Sequence, residues 1–142
     1  MYKGKTVVVV MPAYNAEDFI KPAVDSILNQ TYKDFELIIV DDGSTDKTLE
    51  IARAYETQDD RVRVICKNNG GPAEAMNTGL KEARYPWVAV MHSDDIALPD
   101  RFARQMQAVE ANPDVVIWGT NGYHINSKGD RLSVFKVGPT TI

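Results

Sequence analysis

The sequence predicts an α/β fold with a mostly parallel sheet, and three observations support that prediction. Short apolar runs rich in β-branched residues alternate with amphipathic stretches, which is the pattern of strands joined by crossover helices. The first run, residues 6–11, is apolar on both faces, as strands inside a parallel sheet are. The 142 residues, of which 44% are hydrophobic and 25% charged, suffice for a buried core. We therefore expect one domain over residues 1–142.

The first half of the chain contains two units in which a predicted strand leads into a predicted helix. Residues 6–11 form the first strand, and Asn15 is a candidate N-cap for a helix whose apolar face runs from Phe19 to Leu28. Residues 35–40 form the second strand, which leads into a second amphipathic stretch. Three residues are candidates to cap that second helix: Ser44, Thr45 and Asp46.

The pattern then repeats twice. Residues 62–66 form a third strand, and Pro72 suits the first turn of the helix that follows. Residues 87–91 form a fourth strand. The helix after it is expected to open at Pro99 and to end at Asn112, because the next residue is a proline.

The last part of the chain departs from the strand–helix alternation. Residues 115–118 and 132–137 are predicted as two further strands, and the polar stretch 126–130 as a turn between them. The alternation before this point predicts right-handed crossovers between parallel strands.

Composition and charge exclude several classes of protein. Sixteen Lys and Arg against twenty Asp and Glu give a net charge of −4, so no nucleic-acid partner is expected. The longest apolar run, residues 7–13, is far shorter than the about 20 residues that cross a bilayer. One cysteine, Cys66, rules out an intramolecular disulfide and favours a reducing compartment. We therefore expect a cytoplasmic protein in which Cys66 is a small buried apolar residue.

Polar clusters follow three of the predicted strands at the point where each strand ends. They are Pro-Ala-Tyr-Asn at 12–15, Asp-Asp-Gly-Ser at 41–44 and His-Ser-Asp-Asp at 92–95. In open α/β sheets, ligands bind beyond the carboxyl ends of the strands. Parallel neighbouring strands would bring the clusters to one edge, as an acidic cleft with Tyr14 at its rim. Each cluster alone fits an ordinary turn equally well, and only their coincidence indicates a site.

The acidic cleft lacks the loops that usually cradle phosphate, because the sequence has no Gly-x-x-x-x-Gly-Lys and no Gly-x-Gly-x-x-Gly after the first strand. A bare diphosphate beside Asp94 and Asp95 would be repelled, by about 1 kcal/mol in water and about 4 kcal/mol near a protein surface for unit charges about 4 Å apart. Mg²⁺ and Mn²⁺ commonly bridge one or two carboxylates to substrate phosphates. Any phosphate bound here is therefore expected to be bridged by a metal.

Several motifs together resemble the start of the family 2 glycosyltransferases. They are Val-Val-Val-Met-Pro-Ala-Tyr-Asn at 8–15, Ser-Ile-Leu-Asn-Gln-Thr-Tyr at 26–32, and Phe-Glu-Leu-Ile-Ile-Val-Asp-Asp-Gly-Ser-Thr-Asp at 35–46. Asn-Gly-Gly at 69–71, Ala-Met-Asn-Thr-Gly-Leu at 75–80 and Ser-Asp-Asp at 93–95 with Leu98-Pro99 follow in the family's order. The resemblance covers residues 5–125, and the motifs are specific as a set.

The resemblance implies a GT-A fold, a Rossmann-like three-layer α/β/α sandwich with a mostly parallel sheet. It implies a nucleoside-diphosphate-sugar donor, a divalent metal (Mn²⁺ or Mg²⁺) and transfer to an acceptor hydroxyl with inversion. Uridine is the base that family frequency favours. By position, Asp42 would hydrogen-bond the base, and Asp95, together with Asp94, would coordinate the metal. The implied nucleotide-sugar-binding residues are Pro12, Ala13, Tyr14, Glu17, Asp42 and Asp94.

The sequence departs from the family pattern at three places. His92 stands where the family often has a carboxylate two residues before Asp94, and Met76 stands where many relatives carry Arg. No residue after Trp118 matches a base motif, so no catalytic base is named. The resemblance therefore implies a donor-binding domain truncated before the acceptor-binding and catalytic-base segment. The acceptor would be a saccharide or a lipid-linked molecule, as in cell-surface polysaccharide assembly, and membrane-surface association through missing segments stays open.

Three alternative functions make different demands on the sequence. A non-catalytic nucleotide-sugar-binding module would share the fold and the donor pocket but would lack turnover. A phosphoacceptor receiver domain would place paired acids after its first strand and an acceptor Asp after its third, whereas these strands end here in Pro-Ala-Tyr and Cys-Lys-Asn. A nucleotidyltransferase would need a glycine-rich loop after the first strand.

Overall fold

The structure, a computed structural model, describes residues 5–137. Their helices and strands are, in chain order, β1 (Val7–Ala13), α1 (Ile20–Leu28), β2 (Phe35–Asp41), α2 (Thr48–Gln58), β3 (Val62–Cys66), α3 (Pro72–Glu82), β4 (Trp87–Val90), α4 (Arg101–Ala111), β5 (Gly122–Ile125) and β6 (Arg131–Phe135). The chain divides into two compact units, residues 1–106 and 107–142. The single domain expected from the length remains a prediction. None of the helices within residues 5–137 is long and apolar enough to cross a membrane.

The first unit contains a four-stranded parallel sheet in the order β3-β2-β1-β4. The first two crossovers add strands on one side of β1, and the third returns to add β4 on the other side. Because such crossovers are right-handed, this reversal places α1 and α2 on one face of the sheet and α3 on the other. The result is the predicted three-layer α/β sandwich, and its strand order changes direction between β1 and β4.

The face under α3 is a close-packed apolar layer. Val8, Val10, Ile38 and Val40 pack there with Ala75 of α3, and all five are fully buried. A Cβ on Gly79 would lie 2.3 Å from Cγ1 of Val10, a distance that side chains do not tolerate. Glycine at this position therefore lets α3 approach β1 closely enough to bury both strands.

The helix starts differ in part from the predictions. Helix α1 begins at Ile20, so Asn15 is not its N-cap; Asn15 lies in the left-handed region with φ of 46°. Helix α2 begins at Thr48, and of its candidate caps only Asp46 serves the first turn, accepting a hydrogen bond from the Thr48 N–H at 2.9 Å. Pro72 opens α3 as predicted, whereas α4 begins two residues after Pro99.

The second unit contains an antiparallel hairpin of β5 and β6. The predicted turn between them is confirmed by the hydrogen bond from the Asn126 N–H to the Asp130 carbonyl at 3.0 Å. The strand predicted at 115–118 is wrong: these residues are irregular, and Val116 and Ile117 are each 79% exposed. A β-branched run favours a strand only where a neighbouring strand supplies pairing.

Candidate functional site

The parallel register brings the three polar clusters to one edge of the sheet. Ala13 at the end of β1 pairs with Asp41 at the end of β2. The Asp42 N–H continues this pairing, donating to the Ala13 carbonyl at 2.8 Å. On the other side of β1, the Met91 N–H donates to the Val10 carbonyl at 3.1 Å, which places residues 92–95 next to the end of β1. Ligands in such folds bind at this edge, near the point where the strand order reverses.

The loops after β1 and β2 are joined by hydrogen bonds. The Asn15 amide oxygen accepts from the Thr45 N–H at 2.8 Å, and the Ala16 N–H donates to the buried Thr48 hydroxyl at 2.8 Å. Glu17 is held from both sides: its N–H donates to Asp46 at 3.1 Å, and its carboxylate accepts from the Lys47 N–H at 3.0 Å. The left-handed turn at Asn15 directs these groups toward the second loop, which explains why this residue does not cap α1.

The end of β1 presents one exposed ring above a buried backbone. The Tyr14 side chain is 52% exposed, whereas Ala13 is buried and Pro12 is half-buried. An aromatic ring fixed at a rim in this way offers a flat apolar surface to a ligand, and nucleobases stack on such surfaces.

Asp42 organises the loop that follows β3. Its carboxylate is buried and accepts from the Gly70 N–H at 3.0 Å, the Gly71 N–H at 2.8 Å and the Lys67 ammonium at 2.8 Å. The ammonium also lies 3.0 Å from the carboxylate of Glu74. Burial alone would raise the pKa of Asp42, but the hydrogen bonds from Lys67, Gly70 and Gly71 outweigh burial and hold that pKa below its usual range. Both oxygens of Asp42 are thus bonded within the protein.

Asp41 differs from its neighbour because one of its oxygens is free. The residue is 1% exposed, and its Oδ2 accepts a long hydrogen bond from the Ser44 N–H at 3.3 Å. Its Oδ1 is buried and has no hydrogen-bond partner among residues 5–137. Buried polar atoms are rarely left unpaired in proteins, so this oxygen marks a place where a donor is missing.

Cys66 pairs with Asp41 in the sheet and is exposed, which corrects the prediction that it is a buried apolar residue. Its Sγ lies 3.8 Å from Oδ2 of Asp41. The prediction was wrong because β3 is an edge strand with a neighbouring strand on one side only, and Cys66 is its last residue.

The loop after β4 carries three exposed polar side chains, those of His92, Asp94 and Asp95. The Asp95 N–H closes a turn by donating to the His92 carbonyl at 3.3 Å. Arg101 supports the strand just before this loop, because its guanidinium donates to the Val90 carbonyl at 3.1 Å. Burial lowers the pKa of Arg101, and the nearby charge of Asp95 partly opposes that effect.

The carboxylates of this loop fit a cation that a bound phosphate helps to hold. Asp94 and Asp95 are adjacent and exposed. Within residues 5–137, no group of three or more His, Cys, Asp or Glu side chains could hold a metal ion by itself. Mg²⁺ needs only one or two carboxylates when phosphate oxygens and waters complete its shell. Two carboxylates would therefore suffice for a substrate-bridged cation, which stays a prediction.

Two residues that shape the site, Asp41 and Lys67, were not among the binding residues predicted from the sequence. Successive side chains of a strand point to opposite faces of the sheet, so Asp41 and Asp42 have different surroundings, and the sequence does not show which of them keeps an unpaired oxygen. Lys67 gave no sequence signal.

Comparisons with known proteins identify the family and the fold of the chain. The profile of Glycosyl transferase family 2 matches residues 8–135. The chain is 42% identical over 117 residues to the glycosyltransferase GlyG of Streptococcus pneumoniae, covering 81% of this chain and 39% of that protein. Its fold is similar to S. aureus TarS 1–349 in complex with UDP-GlcNAc, with a TM-score of 0.68 and 28% identity, covering 76% of this chain and 32% of that one. It is also similar to the mannosyltransferase PcManGT of Pyrobaculum calidifontis in complex with GDP-Man and Mn²⁺, with a TM-score of 0.64 and 27% identity, covering 72% and 32%. The chain thus spans less than half the length of these relatives.

Proposed function

The chain belongs to glycosyl transferase family 2, and we propose that it forms the donor-binding part of an enzyme that transfers a sugar from a nucleoside-diphosphate-sugar to an acceptor hydroxyl. The observation that carries this proposal is the register of β1, β2 and β4, which brings an exposed aromatic ring, a buried carboxylate and a pair of exposed carboxylates to one sheet edge. Solved relatives with UDP-GlcNAc or GDP-Man support the same class of ligand.

The nucleoside end of the donor is assigned to the loops after β1 and β2. The exposed Tyr14 ring would stack on the base, with Pro12 and Ala13 beneath it. For the carboxylate that accepts from the base we propose Asp41, because its Oδ1 is unpaired within residues 5–137 whereas both oxygens of Asp42 are already bonded. Under this proposal Asp42, to which the family resemblance assigns the base, orders the loop after β3 instead.

The diphosphate end is assigned to the loop after β4. Asp95 would coordinate a Mn²⁺ or Mg²⁺ ion shared with the diphosphate, and Asp94 would contact the ribose or the same ion. The cation, when bound, supplies positive charge that stabilises the departing diphosphate. Glu17 is placed by its hydrogen bonds with Asp46 and Lys47, and so it would contribute to the shape of the nucleotide site more than to direct contact.

For the enzyme of which this chain would form the donor-binding part, we further propose transfer with inversion and a role in polysaccharide assembly. The acceptor would be a saccharide or a lipid-linked molecule. A base that deprotonates the acceptor hydroxyl would complete the reaction. The acidic net charge and the single cysteine support a location in the cytoplasm, with membrane-surface association through other segments.

Calorimetric titration of this chain with UDP and with GDP, each in Mn²⁺ and in EDTA, tests the proposal. We expect one nucleotide, UDP by family frequency, to bind more tightly in Mn²⁺ than in EDTA. A folded chain that binds neither nucleotide in either condition would contradict the assignment of a donor site to these residues.

A further inference from the structure

Gln30, two residues after the last residue of α1, is fully buried, which is unusual for an amide side chain. Its Nε2 donates to the Leu98 carbonyl at 2.7 Å and to the Ser26 carbonyl at 3.2 Å, and its Oε1 accepts from the Phe102 N–H at 3.1 Å. Two of these partners are backbone groups 68 and 72 residues away in the sequence. The amide therefore joins α1 to the segment between the paired carboxylates and α4.

Other groups at the end of α1 bind the same segment. The Ser26 hydroxyl accepts from the Ala97 N–H at 3.0 Å, and the Thr31 N–H donates to the Pro99 carbonyl at 2.9 Å. Residues 96–98 lie outside any helix or strand, so their backbone groups have no regular ladder to satisfy them. We call the side chains of Ser26 and Gln30 with the Thr31 backbone the α1 clamp. The first residue that the α1 clamp holds, Ala97, lies two residues after Asp95.

We propose that Gln30 is a positioning residue that fixes the Asp94–Asp95 loop for a cation bridged to the donor diphosphate. This inference rests on the proposed function and goes beyond it, because Gln30 lies away from the cleft and would contact neither donor nor cation. The loop is pinned on one side by the Met91 N–H bond to β1 and on the other by the α1 clamp. Between these anchors the carboxylates are exposed, and the anchors determine where they lie together with the turn that the Asp95 N–H closes.

The N-terminal end of α1 is connected to the loops after β1 and β2. The Ile20 N–H donates to the Ala16 carbonyl at 2.8 Å, and the Ala16 N–H is held by the Thr48 hydroxyl. Helix α1 thus runs from the loops assigned to the nucleoside to the segment behind the carboxylates.

The test compares Gln30→Met, which keeps the side-chain length but removes the amide, with Val24→Ala. Val24 is a fully buried residue of α1 and is not part of the clamp. For each folded variant, UDP is titrated in Mn²⁺ and in EDTA, and the ratio of the two dissociation constants measures the gain from the metal. We expect Gln30→Met to reduce this gain severalfold, up to about tenfold, because Gln30 acts on the backbone that follows the loop and not on a carboxylate directly, while UDP affinity in EDTA stays within about twofold. Val24→Ala should keep the gain although it also loses stability.

Ser26→Ala is the second variant, because it removes one clamp bond and leaves Gln30 in place. It should lower the gain from the metal in the same direction by a smaller factor. A gain that survives in Gln30→Met, or falls equally in Val24→Ala, would overturn the role of Gln30 while leaving the donor site intact. Wild-type chain that binds UDP equally in Mn²⁺ and EDTA would overturn the metal assignment and this role together, and absence of UDP binding would overturn the proposed function itself.

Discussion

The loops after β1, β2 and β3 and the loop after β4 lie at the same edge of the sheet, but they are held in different ways. The first three are linked to one another by side-chain hydrogen bonds: Asn15 and Glu17 bind the loop after β2, and Asp42 binds the loop after β3. The carboxylates of the loop after β4 have no such links within the described residues, and that loop is fixed at its ends. The side assigned to the nucleoside is therefore held by hydrogen bonds within the protein, and the side assigned to the cation would depend on its anchors and on the ligand.

Such a division suits a donor whose two ends differ in chemistry. A base is read by directional hydrogen bonds and stacking, which reward a site formed in advance. A cation bridged to phosphate completes its shell with ligand oxygens and waters, so exposed carboxylates suffice. Substitutions on the two sides should consequently affect different observables.

Asp42→Ala should give the largest loss of stability. It removes the charged acceptor of the Gly70 and Gly71 N–H groups, and hydrogen bonds to a charged group contribute about 1.5–3 kcal/mol each. We expect the free energy of unfolding in urea to fall by about 3 kcal/mol. Thr57→Val, on the exposed side of α2, is the control and should change it by less than about 0.5 kcal/mol. A loss as small as that control would contradict the ordering role of Asp42.

The pH dependence of stability should show whether the charge of Asp42 stabilises the fold. The pKa of Asp42 in the folded chain is held below its ordinary value of 3.8, so the folded state favours the charged form. This contribution is fully present above pH 3.8 and is lost as pH falls through the folded pKa. The difference in unfolding free energy between wild type and Asp42→Asn should therefore shrink as pH falls below 3.8. A difference that stays constant from pH 6 to acid would show that the charge of Asp42 is not the stabilising feature.

Asp95→Ala should have the smallest effect on stability and a large one on binding. The side chain is exposed and its carboxylate ties down no other loop, so we expect the free energy of unfolding to stay within about 0.5 kcal/mol of wild type. Calorimetry should show that the gain in UDP affinity from Mn²⁺ is abolished while binding in EDTA is retained. Equal losses in Mn²⁺ and EDTA would contradict the assignment of Asp95 to the cation.

The sheet could be predicted from the sequence because its signal is repeated. Three of the four strand-forming runs end in a polar cluster, and the runs alternate with helix-period stretches, so a mostly parallel sheet with a shared edge could be predicted without tertiary information. The hydrogen bonds of single side chains could not be predicted in this way. Asp41 and Asp42 are identical in the sequence and differ only in which loop lies against each oxygen. The prediction of a strand at residues 115–118 failed for a related reason, because strand formation depends on pairing with a strand that is distant in the sequence.

The measurement that tests the central claim most directly is a two-step titration of the isotopically labelled chain followed by backbone amide NMR. UDP is added first in EDTA, and Mg²⁺ is then added in excess over the chelator. The account predicts that UDP alone shifts the amides of residues 13–17 and 41–45, and that Mg²⁺ then shifts those of 92–96 only when UDP is present. Mg²⁺ shifts at 92–96 without UDP, or UDP shifts confined to other parts of the sheet, would contradict a donor site divided between an ordered nucleoside side and a ligand-completed cation side.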